Sequence, residues 1–388
     1  VTGRLKYAGD IPPLQRMHYA KVLRSPYAHA KVVHIDTSAA EALPGVSAVI
    51  THKDEITGKK KTCNSPWHDF SFNFRGPMIS QEVCYVGDEV AVVSAIDEDV
   101  AKEAIKLIEV EYEELPAIFD MEESIKPGAP QVHPWGPNAL DPSVFEWGDI
   151  EEGFKEADHI IENRITMGNQ QHAPLDRNSC MAHWEGDKVS IWTSTQALFW
   201  IRDAVTEFFE LSPNKVRVHS TPTGGSFGLW WGNNFMFLAV ALARKAKRPV
   251  RLILTRDEVM TTVKRREKPL IDAKIGIKKD GTMVSQSYRH LMDNGAYGNK
   301  FDPYQSVADI YTTKHGRAEF IGVATNLLPA GCMRGVGDLT LAYAMEQTID
   351  MAAEKIGMDP VEFRLKNHWQ TGDICHTSQE VLFAKLLF

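Results

Sequence analysis

The pattern of apolar and polar positions over the first 115 residues predicts a small unit of strands and short helices. Residues 30–35 alternate between apolar and polar side chains, as a half-buried strand does. Residues 97–110 carry apolar side chains at helical spacing and predict a helix. Further strands are predicted at residues 18–23, 46–51, 82–85, 90–95 and 109–113, and a short helix at 39–43.

A second, larger unit is predicted from about residue 148 to residue 370. Its strands are predicted at residues 189–193, 215–219 and 250–255, with a hairpin of 271–277 and 283–292 through Asp280-Gly281. Its helices are predicted at residues 197–209, 232–245 and 339–356. Between the units, residues 116–147 hold six prolines, which disfavour regular structure and predict a linker that wraps another surface.

The amino-acid composition disfavours several classes of protein function. A chain of 388 residues with 43% hydrophobic and 24% charged residues is typical of a globular protein of two or three domains. The net charge of −8 disfavours nucleic-acid binding, and the basic runs at residues 59–61 and 264–266 are expected on solvated faces. The longest apolar stretch, residues 235–243, is too short to span a membrane.

The five cysteines form no CxxC pair. Their odd number and spacing disfavour a disulfide framework, a structural zinc site and an iron–sulfur cluster within this chain. A reducing, cytoplasmic location is therefore expected. The sequence begins at Val1, so we expect the true start, and any targeting signal, to be missing.

Three segments could carry chemistry. Residues 223–228 (TGGSFG) lie between a predicted strand and a predicted helix, where glycines let main-chain N–H groups approach an anion. Arg334 lies between glycines ahead of the long helix and could bind an anion. Gln196 ends a predicted strand and could donate to a ligand oxygen. Taken singly, each also fits a plain turn, a carbonyl-capping arginine or a helix start.

Two further groups of residues each have more than one interpretation. Trp230 and Trp231 follow the glycine-rich turn and could pack in the core or form an aromatic wall for a planar substrate. His172 and Asp176 are weak candidates for a metal pair, because no second ligand stands at helical or strand spacing.

Taken together and in order, these segments resemble the molybdenum-binding subunit of the xanthine dehydrogenase and aldehyde oxidase family of molybdenum hydroxylases. The resemblance covers nearly the whole chain. It includes VTGRLKYAGD at residues 1–10, RSPYAHA at 24–30, YVGDEVAVV at 85–93 and EVEYEELP at 109–116, and it closes with GMDPVEFRLKN at 357–367.

The resemblance implies an α+β fold in which an α/β hammerhead domain is followed by the first half of a molybdopterin-binding α+β domain. The expected division is residues 1–116 for the hammerhead, 117–147 for the proline-rich linker, 148–370 for the cofactor-binding domain and 371–388 for a C-terminal tail.

The resemblance also implies roles at the molybdenum centre, with no direct metal ligand from this chain. Gln196 matches the glutamine that bonds an oxo ligand of molybdenum. The other residues matched to the cofactor site are Gly225, Ser226, Phe227, Gly228, Met333, Arg334 and Gly335. Trp230, Trp231 and Val336 fall at expected substrate positions. The expected cofactor is molybdenum with molybdopterin, in its cytosine dinucleotide form.

The sequence departs from the family pattern in three ways. Leu229, Trp230 and Trp231 replace the usual Gly and Lys, which argues against xanthine recognition. Met333 and Val336 replace common aromatic residues. The half of the family subunit that carries most pterin contacts and the catalytic glutamate is absent from this sequence. We therefore expect no catalytic residue in this chain, and a split enzyme rather than a fragment.

The activity implied is hydroxylation of an aromatic, N-heterocyclic or aldehyde substrate with water as the oxygen source. The expected partners are a second molybdopterin-binding subunit that supplies the glutamate base, an iron–sulfur subunit with 2Fe-2S clusters and an FAD subunit. The alternatives are reductive dehydroxylation of an aromatic thioester, as in hydroxybenzoyl-CoA reductase, and a non-catalytic structural subunit.

Overall fold

The computed structural model describes residues 2–58, 77–134, 136–230, 234–298, 302–303, 309–373 and 375–376. The strands are β1 His18–Arg24, β2 Ala30–Asp36, β3 Val46–Thr51, β4 Glu82–Val83, β5 Glu89–Ala95, β6 Glu109–Glu114, β7 Ser143–Trp147, β8 His159–Thr166, β9 Ser179–Glu185, β10 Lys188–Thr193, β11 Val216–Ser220, β12 Val250–Ile253, β13 Lys268–Ile277, β14 Met283–Asp293 and β15 His315–Val323. The helices are α1 Ser38–Ala42, α2 Glu98–Lys106, α3 Met121–Ser124, α4 Ile150–Glu156, α5 Leu198–Phe208, α6 Asn234–Ala246, α7 Arg256–Thr261, α8 Asp338–Ile356 and α9 Pro360–Asn367.

A seven-stranded sheet runs through both predicted units, in the order β11-β10-β9-β12-β1-β5-β3. Strand β1 pairs in parallel with β12, with His18 opposite Val250, and antiparallel with β5 on its other side. Helix α6 is buried from Phe235 to Ala243 and belongs to the same hydrophobic cluster as these strands. The first unit therefore shares a sheet and a core with the second.

A five-stranded sheet, in the order β7-β15-β14-β13-β8, forms the second core. Helix α8 packs on it, with Leu341, Met345 and Ile349 fully buried in that core. The helix ends at Gly357, whose φ of 67° is the left-handed conformation of a helix C-terminus. A three-stranded sheet, β4-β2-β6, completes the first unit.

Several predicted elements are confirmed and some are wrong. The hairpin of β13 and β14 and the long helix α8 lie where the sequence predicts them. The prediction of an irregular linker is wrong at two places. Met121–Ser124 is a helical turn, and Ser143–Trp147 is an edge strand that pairs antiparallel with β15. Helix α2 ends at Lys106, before the predicted residue 110, because β6 begins at Glu109. Helices α4, α7 and α9 and strands β8, β9 and β15 were not predicted from the sequence.

Three compositional expectations can be compared with the structure. The cysteines among the described residues, Cys84, Cys180, Cys332 and Cys375, are free and buried, whereas Cys63 lies outside them. Over the same part of the chain, no helix combines the length and apolar character of a membrane span. The basic run at residues 264–266 is not a solvated face, because Arg265 and Arg266 are 2% and 3% exposed. The run at residues 59–61 is outside the described residues.

Candidate functional site

The glycine-rich turn lies between β11 and α6, as the sequence predicts, and Gln196 is anchored on it. The Gln196 Oε1 atom accepts hydrogen bonds from Ser226 Oγ at 2.5 Å and from the Gly228 N–H at 3.1 Å. Gln196 itself follows β10, and the Thr195 hydroxyl accepts from the Ala197 N–H just before α5. These bonds fix the orientation of the Gln196 amide relative to the turn.

The turn is in direct contact with the loop of residues 331–337, which we call the Arg334 loop. The Arg334 N–H donates to the carbonyl oxygen of Phe227 at 2.8 Å. Gly228 has a φ of +103°, and a Cβ atom there would lie 2.5 Å from the carbonyl oxygen of Cys332. Only glycine allows this approach of the two main chains. The structure thus joins two segments that are more than a hundred positions apart in the sequence.

Phe227 has an unusual main-chain conformation within the turn. Its φ of 56° is left-handed, which is uncommon for a bulky residue, and its side chain is 45% exposed. Strained conformations of this kind cost about 1–3 kcal/mol and cluster at ligand sites. An exposed aromatic ring held in a strained conformation is therefore a feature of a binding surface.

The Arg334 loop is held from the protein interior by Arg266. The guanidinium donates to the carbonyl oxygens of Arg334 at 2.6 Å and Gly335 at 3.1 Å. The neighbouring Glu267 is buried, which raises its pKa, and it accepts a hydrogen bond from Thr340 in the first turn of α8. Burial of residues 265–266 therefore serves the loop, which corrects the surface prediction for this basic run.

The segment of residues 170–176 connects the same elements. Gln170 Oε1 accepts from Arg266 Nε at 3.1 Å, and His172 Nε2 donates to the Cys332 carbonyl at 2.7 Å. Burial lowers the pKa of His172, which favours the neutral ring. Asp176 accepts from the Ser194 hydroxyl at 3.0 Å, and burial raises the pKa of its carboxyl group. These side chains support the main chain, so the arrangement does not favour the metal-pair hypothesis.

The predicted cofactor residues differ in exposure. Gln196, Phe227, Arg334 and Gly335 are exposed, Met333 and Val336 are half-buried, and Ser226 is buried. The Arg334 guanidinium forms no hydrogen bond or ion pair within the described part of the chain. The structure therefore brings Gln196, the turn and the Arg334 loop together at one surface with an available positive charge.

Trp230 lies in the core rather than at this surface. Its side chain is 2% exposed, it belongs to the cluster that includes α6, and its indole N–H donates to the Gly225 carbonyl at 2.6 Å. This burial favours the core alternative for Trp230 over the aromatic wall. Trp231 lies outside the described residues. The substrate role of Val336 stays a prediction.

Sequence reasoning missed the supporting residues Gln170, Arg266 and Glu267. The sequence around these residues was compatible with more than one interpretation. Polar residues adjoin predicted loops in both segments, yet nothing in the sequence showed that Arg266 and Glu267 are buried or that Arg266 bonds to Gln170.

Comparison with known proteins identifies the family of this chain. Residues 132–368 match the family described as molybdopterin cofactor-binding domain, and residues 2–116 match the aldehyde oxidase and xanthine dehydrogenase a/b hammerhead domain. The chain is 32% identical over 391 residues to the xanthine dehydrogenase molybdenum-binding subunit of Escherichia coli O157:H7, covering 96% of this chain and 51% of that one. The chain thus spans about half the length of that relative.

Two further similarities extend the comparison. The chain is 29% identical to the nicotinate dehydrogenase large molybdopterin subunit of Eubacterium barkeri, covering 98% of this chain and 88% of that one. Among solved structures, quinoline 2-oxidoreductase from Pseudomonas putida 86 superposes with a TM-score of 0.87 and 27% identity, over 98% of this chain and 50% of that one. The chain therefore belongs to the molybdenum-binding subunits of the xanthine dehydrogenase and aldehyde oxidase family, with an α/β hammerhead domain followed by a molybdopterin cofactor-binding domain.

Proposed function

We propose that this chain forms one wall of the molybdenum cofactor site of a hydroxylase, and that another chain completes the site. The observation that carries the proposal is the convergence of Gln196, the glycine-rich turn and the Arg334 loop at one exposed surface. The proposed substrate is an aromatic, N-heterocyclic or aldehyde compound. Nicotinate and quinoline, for which two of the relatives are named, are N-heterocycles.

The residues at this surface fit an oxo-rich, anionic cofactor. Gln196 offers amide donors whose orientation is set by Ser226 and Gly228. The absence of a side chain at Gly228 lets the turn lie against the Cys332 carbonyl, which brings the Arg334 loop beside Gln196. Arg334 adds an exposed cation. Preorganised donors of this kind stabilise developing negative charge without reorganisation.

When bound, a molybdenum–pterin cofactor supplies hydroxylation of an electron-poor carbon, with water as the oxygen source and transfer of two electrons. The role of this chain is to bind and orient. Gln196 and Arg334 would hold the cofactor by donating to its oxygen atoms, while His172 and Arg266 hold the carbonyl groups of the Arg334 loop on the interior side.

The general base is proposed to come from elsewhere. Asp176 and Glu267 are the carboxylates bonded to the supporting framework of the site, and they are 6% and 3% exposed. Asp176 accepts from Ser194, and Glu267 accepts from Thr340. Because both are committed to structural bonds, the proposal assigns proton removal to a glutamate on a second molybdopterin-binding subunit.

Exposed apolar side chains beside the site support a covering chain. Each of three adjoins a site segment: the Leu175 N–H donates to the Gly224 carbonyl, Phe199 lies about one turn after Gln196, and the Leu339 N–H donates to the Gly335 carbonyl. The exposed residues, with their exposures, are Leu175 76%, Phe199 64%, Phe227 45%, Leu339 44% and Tyr343 47%. Clustered exposed apolar residues mark interaction surfaces.

The assembly is proposed to contain further subunits. A relative of similar length, covered to 88%, is named a large molybdopterin subunit, which favours a split arrangement. We assign the cytosine dinucleotide form to the pterin, 2Fe-2S clusters to an iron–sulfur partner subunit and FAD to a third subunit. Electrons would leave the molybdenum centre along these groups to an external acceptor.

The test is purification of the native complex through a tag on this chain, with identification of each subunit. Molybdenum and pterin are measured per chain, and acid hydrolysis tests for release of cytidine monophosphate. Dye-linked oxidation of N-heterocycles and aldehydes is then compared between the complex and the chain expressed alone.

The proposal expects about one molybdenum and one pterin per chain in the complex, turnover by the complex, and none by the lone chain. Robust turnover by the lone chain would overturn the assignment of the base to a partner. A complex without molybdenum or pterin would establish the non-catalytic alternative.

A further inference from the structure

Three metal-ligating side chains meet in the first unit, away from the Arg334 loop. They are His29, which directly precedes β2, Glu82 in β4, and Cys84 just after β4. One ligand atom of each lies within 4.8 Å of the others. His29 and Cys84 are buried, and the Glu82 side chain keeps 23% of its surface exposed. The cluster therefore has an interior side and an open side.

The hydrogen bonds of His29 fix its chemistry. Its Nδ1 lies 2.7 Å from the carbonyl oxygen of Pro116, which can only accept, so Nδ1 carries the hydrogen. Its Nε2 lies 3.1 Å from Glu82 Oε1. Two lone pairs cannot face each other at that distance without a positive centre between them. Either a proton between the two atoms, carried by His29 or by Glu82, or a metal ion satisfies the contact.

The third side chain distinguishes these possibilities. A proton between His29 and Glu82 needs no third group, whereas a metal ion gathers several donors. The Cys84 Sγ lies within 4.8 Å of both other ligand atoms, and its thiol donates to the Glu82 carbonyl oxygen at 3.6 Å. The bond from His29 Nδ1 to a main-chain carbonyl is also the support that histidine ligands commonly have, and it directs Nε2 toward the metal.

The main chain around the cluster is fixed on every side. The His29 carbonyl accepts from the Leu115 N–H at 3.0 Å, and Ala30 pairs with Val83 between β2 and β4. The Cys84 carbonyl accepts from Asn326 Nδ2 at 2.9 Å, a residue of the second unit. The donors are thus preorganised, and the cluster lies where the two units meet.

We propose that His29, Glu82 and Cys84 form a site for a zinc-like divalent cation within the first unit, beside the contact of the Cys84 carbonyl with Asn326 of the second unit. Imidazole, thiolate and carboxylate together suit zinc. Binding displaces two protons to solvent, the one between His29 Nε2 and Glu82 Oε1 and the one on Cys84 Sγ. The negative charges of Glu82 and Cys84 then balance the cation. A water molecule on the open side of Glu82 completes four-coordination.

The test uses the protein purified with its partner chains, treated with a chelator and then reloaded with zinc alone. Zinc is counted per chain by mass spectrometry, and its ligands are identified by X-ray absorption at the zinc edge, which iron and molybdenum do not obscure. We expect about one zinc per chain, with a sulfur neighbour at about 2.3 Å, and a melting temperature that rises with zinc concentration.

Two variants and one control assign the ligands. Cys84→Ser is expected to abolish the sulfur signal, and His29→Gln to weaken zinc binding at least about tenfold, since even supporting residues of metal sites carry effects of this size. Cys180→Ser is the matched control, because Cys180 is also free and buried but is not part of the cluster. It should leave zinc content unchanged.

Failure to retain zinc after loading would overturn the proposal and leave a His29–Glu82 ion pair. A sulfur signal that survives in Cys84→Ser would also overturn it, because the zinc would then lie elsewhere. If neither variant assembles, the zinc-edge spectrum of the unaltered protein decides by the presence or absence of one sulfur neighbour. Molybdenum content, measured in the same samples, reports separately on the proposed hydroxylase function.

Discussion

His172 donates its Nε2 hydrogen to the main-chain carbonyl of Cys332, 2.7 Å away and 160 positions further along the chain. Both residues are buried. The Cys332 carbonyl is also the group that a side chain at residue 228 would strike. This bond therefore helps to fix the position at which the Arg334 loop meets the glycine-rich turn, together with the Arg266 bonds and the Arg334 N–H bond to Phe227.

Replacing His172 with alanine should loosen that contact. The buried Cys332 carbonyl would lose its partner, at a cost of about 1–3 kcal/mol. We expect a lower melting temperature and less molybdenum retained per chain in the purified complex. The control is His34→Ala, because His34 is exposed on β2. Equal molybdenum retention in the two variants would contradict the role assigned to His172.

Replacing Gly228 with alanine should move the two loops apart. The new Cβ would lie 2.5 Å from the Cys332 carbonyl oxygen. Gly186 provides a matched control: it has a φ of +62°, yet a Cβ there meets nothing within 4 Å. Both alanine variants carry the cost of positive φ, about 1 kcal/mol. Only Gly228→Ala should also lose cofactor, as measured by pterin content. Similar losses in both variants would show that backbone strain alone is responsible.

Replacing Gln196 or Arg334 with alanine should impair turnover far more than folding. Both side chains are exposed in this chain, so their removal costs little stability. In comparable enzyme sites, loss of one donor to developing charge lowers kcat by about 10²–10³. Arg317→Ala is the control, because Arg317 is a half-buried arginine on β15 whose side chain is 41% exposed and paired with Glu146. Wild-type rates in both site variants, with molybdenum bound, would remove them from the cofactor site.

Local sequence patterns predicted much of the fold because they depend on near neighbours. The β13–β14 hairpin follows from Asp280-Gly281 between alternating segments, and α8 follows from its apolar spacing and Gly357. The pairing of β1 with β12 could not be predicted, since it joins residues 18–20 to 250–252. Periodicity shows that a strand has a buried face but not which distant strand lies beside it.

The candidate site shows the same limit. Its exposed members were found because glycine-rich loops and an arginine between glycines are unusual sequences. Its buried members were misread: the basic run ending at Arg266 looked like a solvated surface, and His172 looked like a weak metal ligand. Charged residues are rarely buried unless they are paired, and the partners here are main-chain carbonyls, which are present at every position and leave no mark in the sequence.

Replacing Trp230 should affect stability rather than substrate choice. The ring is buried in the cluster around α6, and its N–H donates to the Gly225 carbonyl. Trp230→Ala should cost about 3–5 kcal/mol, and Trp230→Phe, which keeps an aromatic ring but lacks the donor, should cost less. The measurement is chemical denaturation, together with the ratio of kcat/KM values for a flat heterocycle and an aliphatic aldehyde. A shift in that ratio in Trp230→Phe, at unchanged stability, would restore the aromatic-wall interpretation.

The pH dependence of stability should carry a contribution from His290 in β14. Its side chain is fully buried, and burial lowers the pKa of the ring to about 3. The pKa in the unfolded chain is about 6.5, so the unfolded state takes up a proton that the folded state rejects. The contribution of the neutral ring to the free energy of unfolding is complete above pH 6.5 and falls as the pH is lowered toward 3, by about 1.4 kcal/mol per pH unit.

The variant His290→Leu removes the titrating group at similar volume, and its free energy of unfolding should decline less steeply between pH 6.5 and pH 4. Because other buried histidines titrate in both proteins, the informative quantity is the difference between the two pH profiles. Parallel profiles over that range would show that His290 takes up no proton on unfolding, or that the folded protein admits the charged ring.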